Sequence, residues 1–137
     1  MALKVTNMDF PVEEWATRAE AVKKRFYPTT GTSRLAGNAM AELDPQFAEL
    51  IQVVARGRSY ADPTIDLKTR ALCTVACLVG LGEQRYVENW IANSMNAGAT
   101  KDEIVELMVQ LFVYVGTPKA VIGFEAAKAV FAERGVA

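Results

Sequence analysis

The stretch that decides the fold is Asn96-Ala-Gly98-Ala-Thr100-Lys-Asp-Glu103-Ile104, running on through Val105-Glu-Leu-Met-Val-Gln-Leu-Phe-Val-Tyr114-Val-Gly116-Thr117-Pro118. Gly98 is suited to the left-handed residue that ends a helix. Thr100 and Glu103 stand three apart, the spacing of a capping box, in which each side chain satisfies an orphan backbone N–H at a helix start. The apolar run Ile104–Val115 then reads as a helix, and Thr117-Pro118 opens another, because proline is tolerated in the first helical turn. Two helix junctions within this one stretch, with no alternating strand pattern, set an all-helical reading.

The same grammar extends outward. Toward the N-terminus, Glu83 to Ala97 reads as a helix stopped at Gly98. Before it, Asp66 can cap a helix carrying Leu67, Ala71, Leu72, Val75, Ala76 and Val79, closed by Gly80 and Gly82. Asp44-Pro45 places a cap residue before a first-turn proline, and Phe47, Leu50, Ile51 and Val54 continue an apolar stripe that Gly57 is expected to end. Pro11 to Phe26 repeats Val12, Trp15, Ala19, Val22 and Phe26 at helical spacing, and Tyr27–Ser33 is turn chemistry leading into a connector that reaches Asn38. Toward the C-terminus, Val121, Ile122, Phe124, Ala127, Val130 and Phe131 recur with helical period. About six helices are therefore expected, with residues 1–36 as an N-terminal helix and connector and residues 37–137 as one compact helical unit.

Composition narrows the function. A length of 137 residues suits one domain, and 51% apolar residues suffice for a real core. Fifteen basic against sixteen acidic residues leave a net charge of −1, with no basic field for nucleic acid. Met1–Phe10 lacks the apolar stretch of a secretory signal, and the most apolar run is shorter than the ~20 residues a membrane span requires. A cytoplasmic location away from membranes is the expectation. The chain has no histidine, which removes imidazole from any metal site or proton relay. Cys73 and Cys77 stand four apart, a spacing that matches neither a redox pair nor a zinc pattern, and on an apolar helix they are expected as buried small hydrophobes. No metal and no cofactor is anticipated.

The order Asp66-Leu-Lys-Thr-Arg70-Ala-Leu-Cys73, Gly82-Glu-Gln-Arg85-Tyr86, Asn96–Ile104, then Tyr114–Pro118 resembles the carboxymuconolactone decarboxylase-like family, which also holds the alkyl hydroperoxidase D-like proteins. The resemblance covers about residues 37–133 and implies a helical bundle assembled as a trimer or hexamer. In the redox branch it implies a glutamate, two cysteines and a histidine. The corresponding positions here read Ala71, Glu83, Tyr86 and Trp90, with the register held by the family glycine at Gly98. Without paired thiols or an adjacent base, thiol peroxidase chemistry is not expected. The decarboxylase branch dispenses with the cysteines but commonly keeps the histidine, and an indole at Trp90 cannot titrate in its place.

What remains at this position is a polar and aromatic set. Glu83 is the candidate acid or base, with Tyr86 one turn on to share a ligand; Arg85, Asn89, Trp90 and Arg70 are candidate substrate-binding residues. Each has a structural reading beside it. Glu83 can be a first-turn acid favoured by the helix dipole, Tyr86 and Trp90 can be packing residues, and Arg70 can be half of an ion pair. Two functions follow from the resemblance: a cofactor-free lyase or isomerase acting on a small carboxylated or lactone-type molecule, or a non-catalytic oligomeric ligand-binding or assembly protein. A homo-oligomer is expected for either, because Ile104–Val115 carries more apolar circumference than a small bundle buries.

Overall fold

The computed structural model describes residues 11–29 and 39–136. Met1–Phe10, most of the connector and the expected boundary at 36/37 lie outside the described residues. Among the described residues all regular structure is helical: α1 Val12–Phe26, α2 Ala39–Leu43, α3 Pro45–Gln52, α4 Leu67–Leu81, α5 Gln84–Asn96, α6 Lys101–Val115 and α7 Thr117–Arg134. No helix is long and apolar enough to cross a membrane.

The expected caps form. Asp44 accepts from the Phe47 amide, Asp66 accepts from the Thr69 amide, and Thr100 and Glu103 make both bonds of the capping box. Each supplies acceptors to amide groups that a helix start leaves unpaired. Gly82 and Gly98 take the positive φ values that end or follow α4 and α5. The box also ties two helices together, since Glu103 Oε1 accepts from Lys68 Nζ at 2.7 Å while Oε2 accepts from the Thr100 amide at 2.8 Å.

Gly57 departs from expectation. It does not end a helix; α3 continues directly into a π-helical segment, Val53–Tyr60, with Gly57 buried in it. A side chain there would begin 1.9 Å from the Trp15 carbonyl oxygen. Gly57 is thus where α1 and the π segment touch backbone to backbone, a packing requirement that resembles a local breaker when only neighbours in sequence are considered. The stripe expected along α3 is also not a core face, as Phe47, Leu50, Ile51 and Val54 remain exposed. Ala48 is the residue of α3 that is buried.

Two apolar clusters form the core. The larger gathers Val75, Val79, Val87, Ile91, Ile104, Met108 and Val130 from α4 to α7. The smaller gathers Val22, Phe26, Tyr27, Leu67 and Ala71 from α1 and α4. Trp90 packs against both.

Candidate functional site

The polar set around α5 divides by depth. Glu83 is the residue before the first turn of α5, and its side chain makes no capping bond. Glu83, Arg85 and Tyr86 are exposed, whereas Asn89 is buried to 3%. Three- and six-residue steps from Glu83 drift around a 3.6-residue helix, so Asn89 rotates toward the interior while Tyr86 stays outside. Glu83, Arg85 and Tyr86 are all open to solvent at the start of α5, with Arg85 two positions from Glu83 and so on a different side of the helix, and Asn89 is inside.

Trp90 is half-buried in an aromatic cluster. Its ring stacks on Tyr60 with centroids 5.0 Å apart and an interplanar angle of 20°, and Phe26 meets both edge-on at 5.4 and 5.5 Å. Offset stacks and edge contacts are the favoured aromatic geometries. Trp90 is therefore the joint between the two core clusters, as its place in the α5 stripe with Val87, Ile91 and Met95 suggests.

Tyr60 carries no signal in the sequence, where it lies between Gly57, expected to end a helix, and the Asp62-Pro63 turn. Its hydroxyl lies 2.6 Å from Thr74 Oγ1, and Thr74 Oγ1 donates to the Arg70 carbonyl at 3.0 Å. A carbonyl can only accept, so the threonine proton is spent there and Tyr60 is the donor to Thr74. Burial pushes the Tyr60 phenol above its ordinary value, against the smaller lowering by Thr74, so it remains a protonated donor.

Arg70 is occupied. Nε donates to the Ile65 carbonyl at 2.9 Å, Nη2 donates to the Asp62 carbonyl at 3.1 Å, and Nη2 faces Asp62 Oδ1 at 3.5 Å. The guanidinium fork ties the 61–66 turn to the start of α4, which realises the ion-pair reading. Cys73 and Cys77 require a correction: both are free and exposed, not buried. Their turn of α4 points its apolar neighbours Val75 and Val79 inward and the thiols outward.

A second buried polar group joins α1, the π segment and α5. The Arg56 guanidinium donates to the Tyr27 hydroxyl at 3.2 Å and lies 5.2 Å over its ring, Asn93 Nδ2 approaches the same hydroxyl at 3.4 Å, and Asn96 Nδ2 donates to the Phe26 carbonyl at 2.5 Å. These contacts explain why asparagines face inward on α5: they meet backbone and hydroxyl groups that burial would otherwise strand.

Among the described residues no cluster of acidic or thiol side chains could hold a metal ion. A cleft with a volume of about 550 Å³ lies between α1 and the 60–68 segment, with Tyr60 in its wall. None of the described clefts is lined by Glu83, Arg85, Tyr86, Asn89 or Trp90.

Residues 45–129 match the model of the carboxymuconolactone decarboxylase family. The chain is 30% identical over 96 residues to a 4-carboxymuconolactone decarboxylase of Acinetobacter baylyi, a match covering 70% of this chain and 72% of that protein. It is 29% identical over 97 residues to an uncharacterized 15.0 kDa protein encoded in the nqo9-nqo10 intergenic region of Paracoccus denitrificans, covering 69% and 72%.

Proposed function

The chain belongs to the carboxymuconolactone decarboxylase family, and from that premise we propose that it is a cofactor-free lyase or isomerase acting on a small carboxylated or lactone-type molecule. The observation that carries the proposal is the state of Glu83. It stands at the head of α5, exposed, without a capping bond and without an ion pair among the described residues, so its carboxylate has no structural task there. Tyr86, exposed one turn on, supplies a phenol for a neutral oxygen, and Arg85, exposed in the same first turn, supplies a cation for a substrate carboxylate.

In a decarboxylation at Glu83 the bond to the substrate carboxylate breaks, carbon dioxide leaves, and the electron pair left on carbon takes a proton from the Glu83 carboxyl; one proton taken up from solvent then restores the acid. Proton donation by a carboxylic acid is helped when the site is closed from water. A second copy of the chain is the proposed cover. Val113 and Tyr114 on α6 are 74% and 79% exposed, and Val109, Phe112, Val121 and Phe124 continue that apolar face, more than a lone small domain ordinarily leaves open. We assign the assembly to a trimer or hexamer. The test is a screen of small lactones and carboxylic acids for loss of substrate carboxylate, followed by NMR, with the protein at its native assembly state. Turnover of one such compound supports the proposal, and silence across the set opposes it.

A second reading is favoured by one observation, the packing of Trp90 between the two core clusters. The position at which the resemblance implies a histidine is filled by a structural indole, as in a family member retained for ligand binding or assembly. A saturable ligand that is never converted would select this reading.

A further inference from the structure

We propose that the cleft between α1 and the 60–68 segment is a separate binding site for a small carboxylate with a ring-shaped apolar body. It lies apart from Glu83, and Glu83, Arg85 and Tyr86 are not among its lining residues. Its volume of about 550 Å³ falls inside the range of ~300–1,000 Å³ typical of small-molecule sites. The lining is mostly apolar, with Val22, Ile65, Leu67 and Ala97 among its surfaces.

The charges around this apolar floor decide the ligand. The two carboxylates in the wall are already engaged. Asp66 accepts from the Thr69 amide at 3.0 Å and the Thr69 hydroxyl at 2.5 Å, and Asp62 accepts from the Thr64 amide at 3.0 Å while facing Arg58 at 3.3 Å and Arg70 at 3.5 Å. Two of the three cations are engaged as well, Lys68 with Glu103 and Arg18 with Glu14. The partners of Asp66 are neutral; the charged partners outside the wall are Arg58 and Arg70 for Asp62 and Glu103 and Glu14 for Lys68 and Arg18, and they cancel, so three cations against two carboxylates in the wall leave one positive charge in excess. Arg25, in the last turn of α1, has no carboxylate partner among the described residues. The cleft thus offers a guanidinium without a carboxylate partner among the described residues, and a net positive charge, beside an apolar groove. A planar fork of N–H donors matches a carboxylate bidentately, and the groove accepts a ring rather than a second charge.

The test uses naphthalene-2-carboxylate as the probe and naphthalene-2-carboxamide, its neutral isostere, as the control, by titration calorimetry on the full chain. Saturable binding of one carboxylate per chain is expected, with the carboxamide at least tenfold weaker. Arg25→Gln should weaken the carboxylate about tenfold or more, the scale of one charged hydrogen-bonding pair. Ala21→Trp, an exposed position on the cleft wall, should abolish binding of both compounds by filling the groove while circular dichroism stays unchanged. The proposal is overturned if the carboxylate shows no saturable binding at millimolar concentration, or if it binds both variants as tightly as the parent protein.

Discussion

Trp90 and Tyr60 lie ring on ring at 5.0 Å and 20°, and through this pair α5 is fastened both to the π segment and to the Phe26 end of α1. The indole belongs to both core clusters, so its removal should open a cavity at their junction. Trp90→Ala is expected to cost about 3 kcal/mol in a urea unfolding series. A loss under about 1 kcal/mol would show that the aromatic cluster is a surface decoration and would reopen Trp90 as a ligand platform.

Gly57→Ala should be destabilising by about 2 kcal/mol or more, because the added methyl meets the backbone of Trp15 at 1.9 Å and backbone cannot swing aside. Gly123→Ala is the comparison. Its new methyl would meet Met108 Sδ at 2.4 Å, the end of a flexible side chain, so a smaller loss is expected. Equal thermal midpoints for Gly57→Ala and the parent would refute the close crossing of α1 over the π segment.

Three carboxyls should shape the acid limb of stability. Lys68 holds the Glu103 carboxyl below its ordinary range, and hydrogen bonds from Thr69 and Thr64 do the same for Asp66 and Asp62. A carboxyl depressed in the fold contributes stability above the ordinary carboxylate range, and this is lost as pH falls through that range and below. Lys68, raised chiefly by its bond to Glu103, contributes in full until pH rises past its ordinary value. The urea midpoint should therefore be flat near neutrality and fall below about pH 4. Asp66→Asn keeps a capping side chain and removes the titration, so the fall should become shallower. An unchanged acid limb in Asp66→Asn together with Glu103→Gln would contradict the assignment.

Light scattering should give a mass near three or six times the 15.0 kDa of one chain. Replacing Val113 and Tyr114 with glutamate should shift that mass toward the monomer, since buried unpaired charge in an apolar interface is costly. A monodisperse 15.0 kDa species at micromolar concentration in the parent protein would remove the proposed cover for Glu83.

Local chemistry carried the fold far in the sequence. Asp44, Asp66, Thr100 with Glu103, Gly82 and Gly98 act on residues within a few positions of themselves, so spacing alone announces them. The failures all depend on distant neighbours. Gly57 reads as a breaker because the Trp15 backbone it accommodates lies far back in the chain, and the π turns that follow leave no spacing signal. Cys73 and Cys77 read as buried because α4 is apolar almost all round, and which side meets α5 to α7 is fixed by packing. At the site, the spacing of Glu83, Tyr86 and Asn89 does not tell that Asn89 turns inward while Glu83 and Tyr86 stay exposed, because which side of α5 is covered is set by the helices packed on it. Tyr60 is not legible either, as its partners Thr74 and Trp90 come from two other helices.

The central claim is that Glu83 moves the proton, and Glu83→Gln tests it most directly. The amide keeps the shape, removes proton transfer, and disturbs no capping bond. On a lactone or carboxylic acid turned over by the parent protein, Glu83→Gln is predicted to lower kcat by ~100-fold or more with little change in thermal midpoint. Full turnover in Glu83→Gln would contradict the account and would place the proton transfer on another residue of the chain or of a second copy.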